Sequence, residues 1–146
     1  MNNYNALRIA LYVIKRYMEN SVEITNLKLQ KVLYYIQQGF LINRNGNACF
    51  LDQIEAWTYG PVVPSVYNIF SASGASGIKL FSLLEDEFLD IAEPDRRLLN
   101  KIIDNDLHTN VWHLVNRSHR AGGAWEQIFN NLNTNIIPLN LIREDI

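Results

Sequence analysis

Apolar residues recur at steps of three and four over most of this chain, the spacing of helices that bury one side. Tyr4, Leu7, Leu11, Ile14 and Met18 predict a first helix, with Lys15, Arg16 and Glu19 off its stripe. Asn20 and Ser21 break the pattern. Thr25 then offers a side-chain oxygen to the free amides of a second helix. That helix is predicted to bury Leu29, Val32, Leu33, Ile36 and Phe40, and to leave Gln30, Lys31, Tyr34 and Tyr35 on its exposed side. Asn43-Arg44-Asn45-Gly46-Asn47, suited to positive φ, closes it.

The period then switches to two. Ile54, Ala56 and Thr58 alternate with Glu55, Trp57 and Tyr59, which predicts a strand over 54–59. Gly60-Pro61 is read as ending it, with Pro61 and Pro64 both suited to a helix entry. Val66, Tyr67, Ile69 and Phe70 form a short helical stripe. Ser71 to Gly77 reads as a loop of small residues, and Ile78 to Leu84 is open to a second short strand. An acidic stretch from Glu85 to Asp95 leads into a helix carrying Leu98, Leu99, Ile102, Ile103 and Leu107, its early acids at the positive end of the dipole. Asn110 is a cap for a helix beginning at Val111. Ala124 to Phe129 and Pro138 to Ile146 are two further short helical segments. The pattern predicts a mainly α chain: a compact bundle of about five to six helices with a small β element near 54–59, one domain over 1–146.

Composition narrows the function classes. With 146 residues, 48% of them hydrophobic, a core can form without disulfides or metals. The net charge of -2 argues against a surface built to neutralise phosphates, so no nucleic acid is expected as partner. Cys49 is the single cysteine. The start, Met1-Asn2-Asn3-Tyr4, lacks the pattern of a signal peptide, and no apolar run reaches the roughly 20 residues of a membrane helix, so a cytoplasmic location is expected.

Catalytic and metal chemistry find little support in the residue types. His108, His113 and His119 are five and six residues apart, which does not gather them on one helix face. No Cys pair, His-Glu-x-x-His run or Gly-rich phosphate loop occurs, so neither metal nor cofactor is expected. Ser118 and His119 are adjacent and point about 100° apart on a helix, which is not a nucleophile–base pair. A small hydrolase or nuclease centred on His119, with an acid such as Glu126, stands as the enzymatic alternative.

Two stretches carry more than periodicity. Thr25-Asn26-Leu27-Lys28-Leu29-Gln30-Lys31-Val32-Leu33-Tyr34-Tyr35 is followed by Glu55-Ala56-Trp57-Thr58-Tyr59-Gly60-Pro61-Val62-Val63-Pro64-Ser65-Val66-Tyr67. Further on, Leu114-Val115-Asn116-Arg117-Ser118-His119 precedes Trp125. These blocks resemble the signature of the Panacea domain family. Gly122-Gly123-Ala124 and the tail after Ile137 depart from its pattern. The resemblance implies an antitoxin that binds and neutralises a cognate toxin, carried by a prophage or other mobile element. An adaptor that delivers a toxin to a bacterial AAA+ protease is the second implied role, and would add a protease complex to the partners.

The residues themselves suggest where binding occurs. Gly60 and Pro61 fix the chain after Trp57 and Tyr59, two residue types favoured at binding hot spots. Gln30, Lys31, Tyr34, Tyr35, Trp57, Tyr59, Pro61 and Val62 are the partner-binding candidates. Gly60, Pro64, His119 and Trp125 are structural or binding. Trp57 and Tyr59 suit packing against helix two as well as an interface. His119 is expected to hydrogen-bond a neighbouring loop while Trp125 fills a pocket.

Overall fold

The computed structural model describes residues 3–146; Met1 and Asn2, part of the N-terminal stretch read above, lie outside it. Among the described residues, seven α-helices and one two-stranded antiparallel sheet follow in chain order. They are α1 (Ala6–Glu19), α2 (Asn26–Asn43), β1 (Glu55–Trp57), β2 (Gly60–Val62), α3 (Pro64–Phe70), α4 (Glu93–Asn105), α5 (Val111–Ser118), α6 (Ala124–Phe129) and α7 (Leu139–Glu144). The mainly helical bundle with a small β element is thus the observed class, and two of the helices are only six residues long.

Helix α2 is the axis. It packs against α1, α3, α4, α5, α7 and β2, so almost its whole circumference is covered. Leu29, Val32, Leu33, Ile36 and Phe40 are buried as the spacing predicted. Thr25 caps the helix by accepting from the Lys28 N–H at 3.3 Å. At its other end, Asn45 and Gly46 take the expected positive φ.

Helix α1 turns further than its stripe implied. Its fully buried residues are Ala6, Ile9, Ala10, Val13, Ile14 and Tyr17, while Leu7, Leu11 and Met18 are half-buried. Asn5 and Asn110 cap α1 and α5 through their side chains. Residues 78–84 form no strand; Phe81–Glu85 is a 3-10 turn. The acidic stretch is more than a solvated face, because Asp86 and Asp90 both bind Arg8, and Asp95 binds Arg44 and the Tyr4 hydroxyl. Among the described residues no helix is long and apolar enough to cross a membrane.

Candidate functional site

The strand read over 54–59 is the first half of a hairpin. β1 pairs with β2 in the register Glu55 to Val62, Ala56 to Pro61 and Trp57 to Gly60, with Thr58 and Tyr59 as the turn. Gly60-Pro61 therefore does not end the β element, and Pro61 belongs to a strand. Of Pro61 and Pro64, the second alone opens a helix. Neither Thr58 nor Tyr59 has positive φ, and Gly60, at φ 113°, supplies the left-handed residue instead.

The backbone of each strand faces one way at alternate residues. The Ala56 N–H donates outward to the Asn135 carbonyl at 2.8 Å, so the Ala56–Pro61 pair is the non-hydrogen-bonded kind. Pro61 and Val63 must then present their backbone away from β1, toward α2. Pro61 has no N–H to satisfy there, which is the position a strand tolerates proline. Its carbonyl accepts from Lys31 Nζ at 2.8 Å, and the Val63 N–H donates to Gln30 Oε1 at 2.9 Å. Two side chains of α2 thus stand where a third strand would run.

This overturns the reading of Gln30, Lys31 and Tyr34 as exposed. All three are fully buried, and Tyr35 is half-buried. Gln30 also donates to Asn26 at 2.9 Å, whose amide reaches the Tyr67 carbonyl at 3.1 Å. Tyr34 donates to Asp145 at 2.6 Å, tying α2 to the end of α7. The polar side chains of α2 face inward because loops and a strand edge present unpaired backbone groups to it, and buried polar groups need partners. Gln37 does the same for the Cys49 N–H and the Phe50 carbonyl.

Lys31 is the extreme case. No carboxylate accompanies it, and burial pulls its ammonium down to about 7. Its stem runs under Gly60, where an added Cβ would lie 2.7 Å from Lys31 Cε and 2.7 Å from Ser118 Oγ. Gly60 is required twice over, by its φ and by this approach.

From the other side, Trp125 Nε1 donates to the Trp57 carbonyl at 2.7 Å. His119 stacks on Trp125 with ring centroids 3.7 Å apart, and Phe129 stacks on the same indole at 4.5 Å. The expected hydrogen bond from His119 to a loop is absent at Nε2, which is buried without a partner. Desolvation first, and then the nearby Lys31 charge, lower the pKa of the imidazole. Ser118 donates its hydroxyl to the Val115 carbonyl at 2.7 Å, and Glu126 accepts from the Gly122 N–H at 3.0 Å. Ser118 and Glu126 thus bond to backbone groups rather than to His119.

What reaches solvent is the hairpin tip. Tyr59 is 56% exposed and meets Trp112, 52% exposed, edge to face with centroids 5.9 Å apart. Trp57 is half-buried, packed at 5.0 Å against Tyr67, with its Nε1 donating to Glu55. Val62 is buried but lines, with Trp57, Tyr59, Tyr67 and Phe129, a groove of about 700 Å³ that holds no charged side chain. Trp112 and Phe129 were not among the predicted binding residues. Trp112 is the second residue of α5, on the side of the helix opposite the buried Leu114, where a large aromatic residue is the signal.

The sequence comparisons bear on these same residues. The family model described as Antitoxin SocA-like, Panacea domain, matches residues 29–126, from the buried face of α2 through the Trp125 stack. This chain belongs to that family. Antitoxin SocA of Caulobacter vibrioides (strain NA1000 / CB15N) is 31% identical over 140 residues, covering 90% of this chain and 74% of the relative. No solved structure gives a significant match. The Panacea match contains both halves of the hairpin mount, the Gln30-Lys31 side and the Trp57 to Pro64 side.

Proposed function

We propose that this chain is an antitoxin that neutralises a cognate toxin by direct binding, through the surface around Tyr59, Trp112 and Phe129. One observation carries the location. Tyr59, on a hairpin whose backbone is tied down from both sides, and Trp112 of α5 stand more than half exposed and in contact with each other. Rigid aromatic area next to an uncharged groove is what a protein interface concentrates its binding energy in. Membership of an antitoxin family supports the role.

The chain acts as a single domain, without cofactor, metal or nucleic acid, on a toxin encoded beside it on a mobile element. The test is growth rescue. The neighbouring gene product, induced alone, should arrest growth, and this chain should restore it and co-purify with it. Tyr59→Ala with Trp112→Ala should weaken the complex by about 2 kcal/mol or more, roughly thirtyfold. Rescue should persist in hosts lacking AAA+ proteases, which separates neutralisation from delivery for degradation. A harmless neighbour, or a double variant that binds like wild type, would refute the reading.

A further inference from the structure

We propose that Lys31, which touches no solvent, is a positioning residue for partner binding: through the Pro61 carbonyl it fixes the hairpin tip that presents Tyr59. The functional half of this inference rests on the toxin-binding reading above.

The tip is held by the ladder between β1 and β2 and by contacts on the outer edges of both strands. β1 is tied on its outer edge by Asn135 and Ile137, through Ala56 N–H to the Asn135 carbonyl and Ile137 N–H to the Ile54 carbonyl, each 2.8 Å. The end of β1 is tied by Trp125 to the Trp57 carbonyl. On β2, the residue next to the turn is Gly60, the one with the largest backbone freedom. Gly60 pairs with Trp57 across the hairpin, and the first backbone group of β2 that turns away from β1 is the Pro61 carbonyl, whose partner is Lys31. The Lys31 stem also fills the space under Gly60, so it restrains that residue sterically as well as through its neighbour's carbonyl. Tyr59 itself is over half exposed, and its described aromatic contact is the edge-to-face one with Trp112. Tyr59 keeps that place only while the backbone on either side of the turn is fixed.

An exposed strand edge invites a partner to add a strand. Here both outer edges are occupied, one by residues 135–137 and the other by Gln30 and Lys31. A partner therefore reads side chains at the tip, and the precision of their placement sets the affinity.

The experiment compares wild type with Lys31→Met in the full chain by NMR, alongside thermal unfolding. The Met side chain keeps the apolar stem and removes the donor. The expected result is a folded protein in which the Tyr59–Trp112 cross-peaks weaken. Amide exchange at Thr58 and Tyr59 speeds up about tenfold or more, while exchange in α1 and α4 is unchanged. Affinity for the toxin then falls about tenfold, the cost of ordering the turn again on binding. Unchanged cross-peaks and hairpin exchange in the folded variant would overturn the proposal. If Lys31→Met does not fold, the wild-type protein decides: Lys31 side-chain protons that exchange as fast as those of exposed lysines would equally overturn it. Toxin binding that survives Tyr59→Ala at full strength would sink the surface reading and the functional half with it, whatever the exchange data show for the ordering.

Discussion

Gly60→Ala tests the hairpin mount most directly. At φ 113° an alanine is strained by roughly 1–2 kcal/mol. Its Cβ would also lie 2.7 Å from Lys31 Cε and from Ser118 Oγ, and 3.3 Å from Lys31 Cδ. Neither neighbour can yield freely, since Lys31 is anchored on the Pro61 carbonyl and Ser118 on the Val115 carbonyl. Relief requires giving up one of those buried hydrogen bonds, about 1–3 kcal/mol. The lower entropy of the unfolded alanine chain offsets about 0.4–1 kcal/mol. The net loss is about 2–4 kcal/mol, a large share of the roughly 5–15 kcal/mol that holds such a domain together. Gly122→Ala is the internal control: φ there is 76°, but nothing lies within 4 Å of an added Cβ, so strain alone acts, about 1 kcal/mol. Urea unfolding at constant slope measures both. Losses for the two variants within about 0.5 kcal/mol of each other, a margin well under one buried hydrogen bond, would refute the claim that Lys31 and Ser118 crowd Gly60.

Tyr34→Phe removes the donor to an Asp145 carboxylate whose side chain is 4% exposed, leaving Arg120 at 2.8 Å as its partner; a loss of about 2 kcal/mol in urea unfolding is expected, and a loss near zero would mean the tail is not fastened there. Arg8 holds the Asp86 and Asp90 carboxyls below the usual carboxylate range by hydrogen bonding. A folded-state value below the unfolded one stabilises above the unfolded value of 3.8 and is lost as pH falls through the folded value. Hydrogen exchange over residues 85–91 should therefore rise in acid below that range, and Arg8→Met should raise it already at neutral pH and remove the acid dependence; identical profiles for the two proteins would refute the link.

Much of this was written plainly in the chain. The apolar spacing of α2 named its buried core, and Thr25, Asn110 and Pro64 marked helix starts because their side chains have local, short-range work to do. What failed was the treatment of polarity as exposure. Gln30, Lys31 and Tyr34 were placed outward because an amphipathic helix has one wet face, whereas α2 has almost none. A signal was available: Lys28 and Lys31 are the only charged residues in the 18 of Asn26–Asn43, too few for a helix with a solvated side. The hairpin was missed for a different reason. Its two-residue turn, Thr58-Tyr59, carries none of the Asn-Gly chemistry that marks such turns, because the glycine that absorbs the positive φ comes one residue later.

The buried Lys31 is costly, and the cost bears on why it is there. A methionine would fill the same space without the penalty of desolvating an ammonium, and replacing buried charge by apolar volume often stabilises a fold. A lysine at this position does what methionine cannot: it supplies a donor to the one carbonyl that the hairpin's open edge turns toward α2. Without it that carbonyl is buried and unpaired, and the hairpin would relieve it by tilting toward solvent, the movement that displaces Tyr59. Stability of the whole fold therefore argues against lysine at position 31, while a single orientation of the tip argues for it. The two blocks that carry the family resemblance are the two halves of this arrangement, Gln30 as acceptor and Lys31 as donor on the helix, and Gly60-Pro61-Val62-Val63 as the strand shaped to receive them.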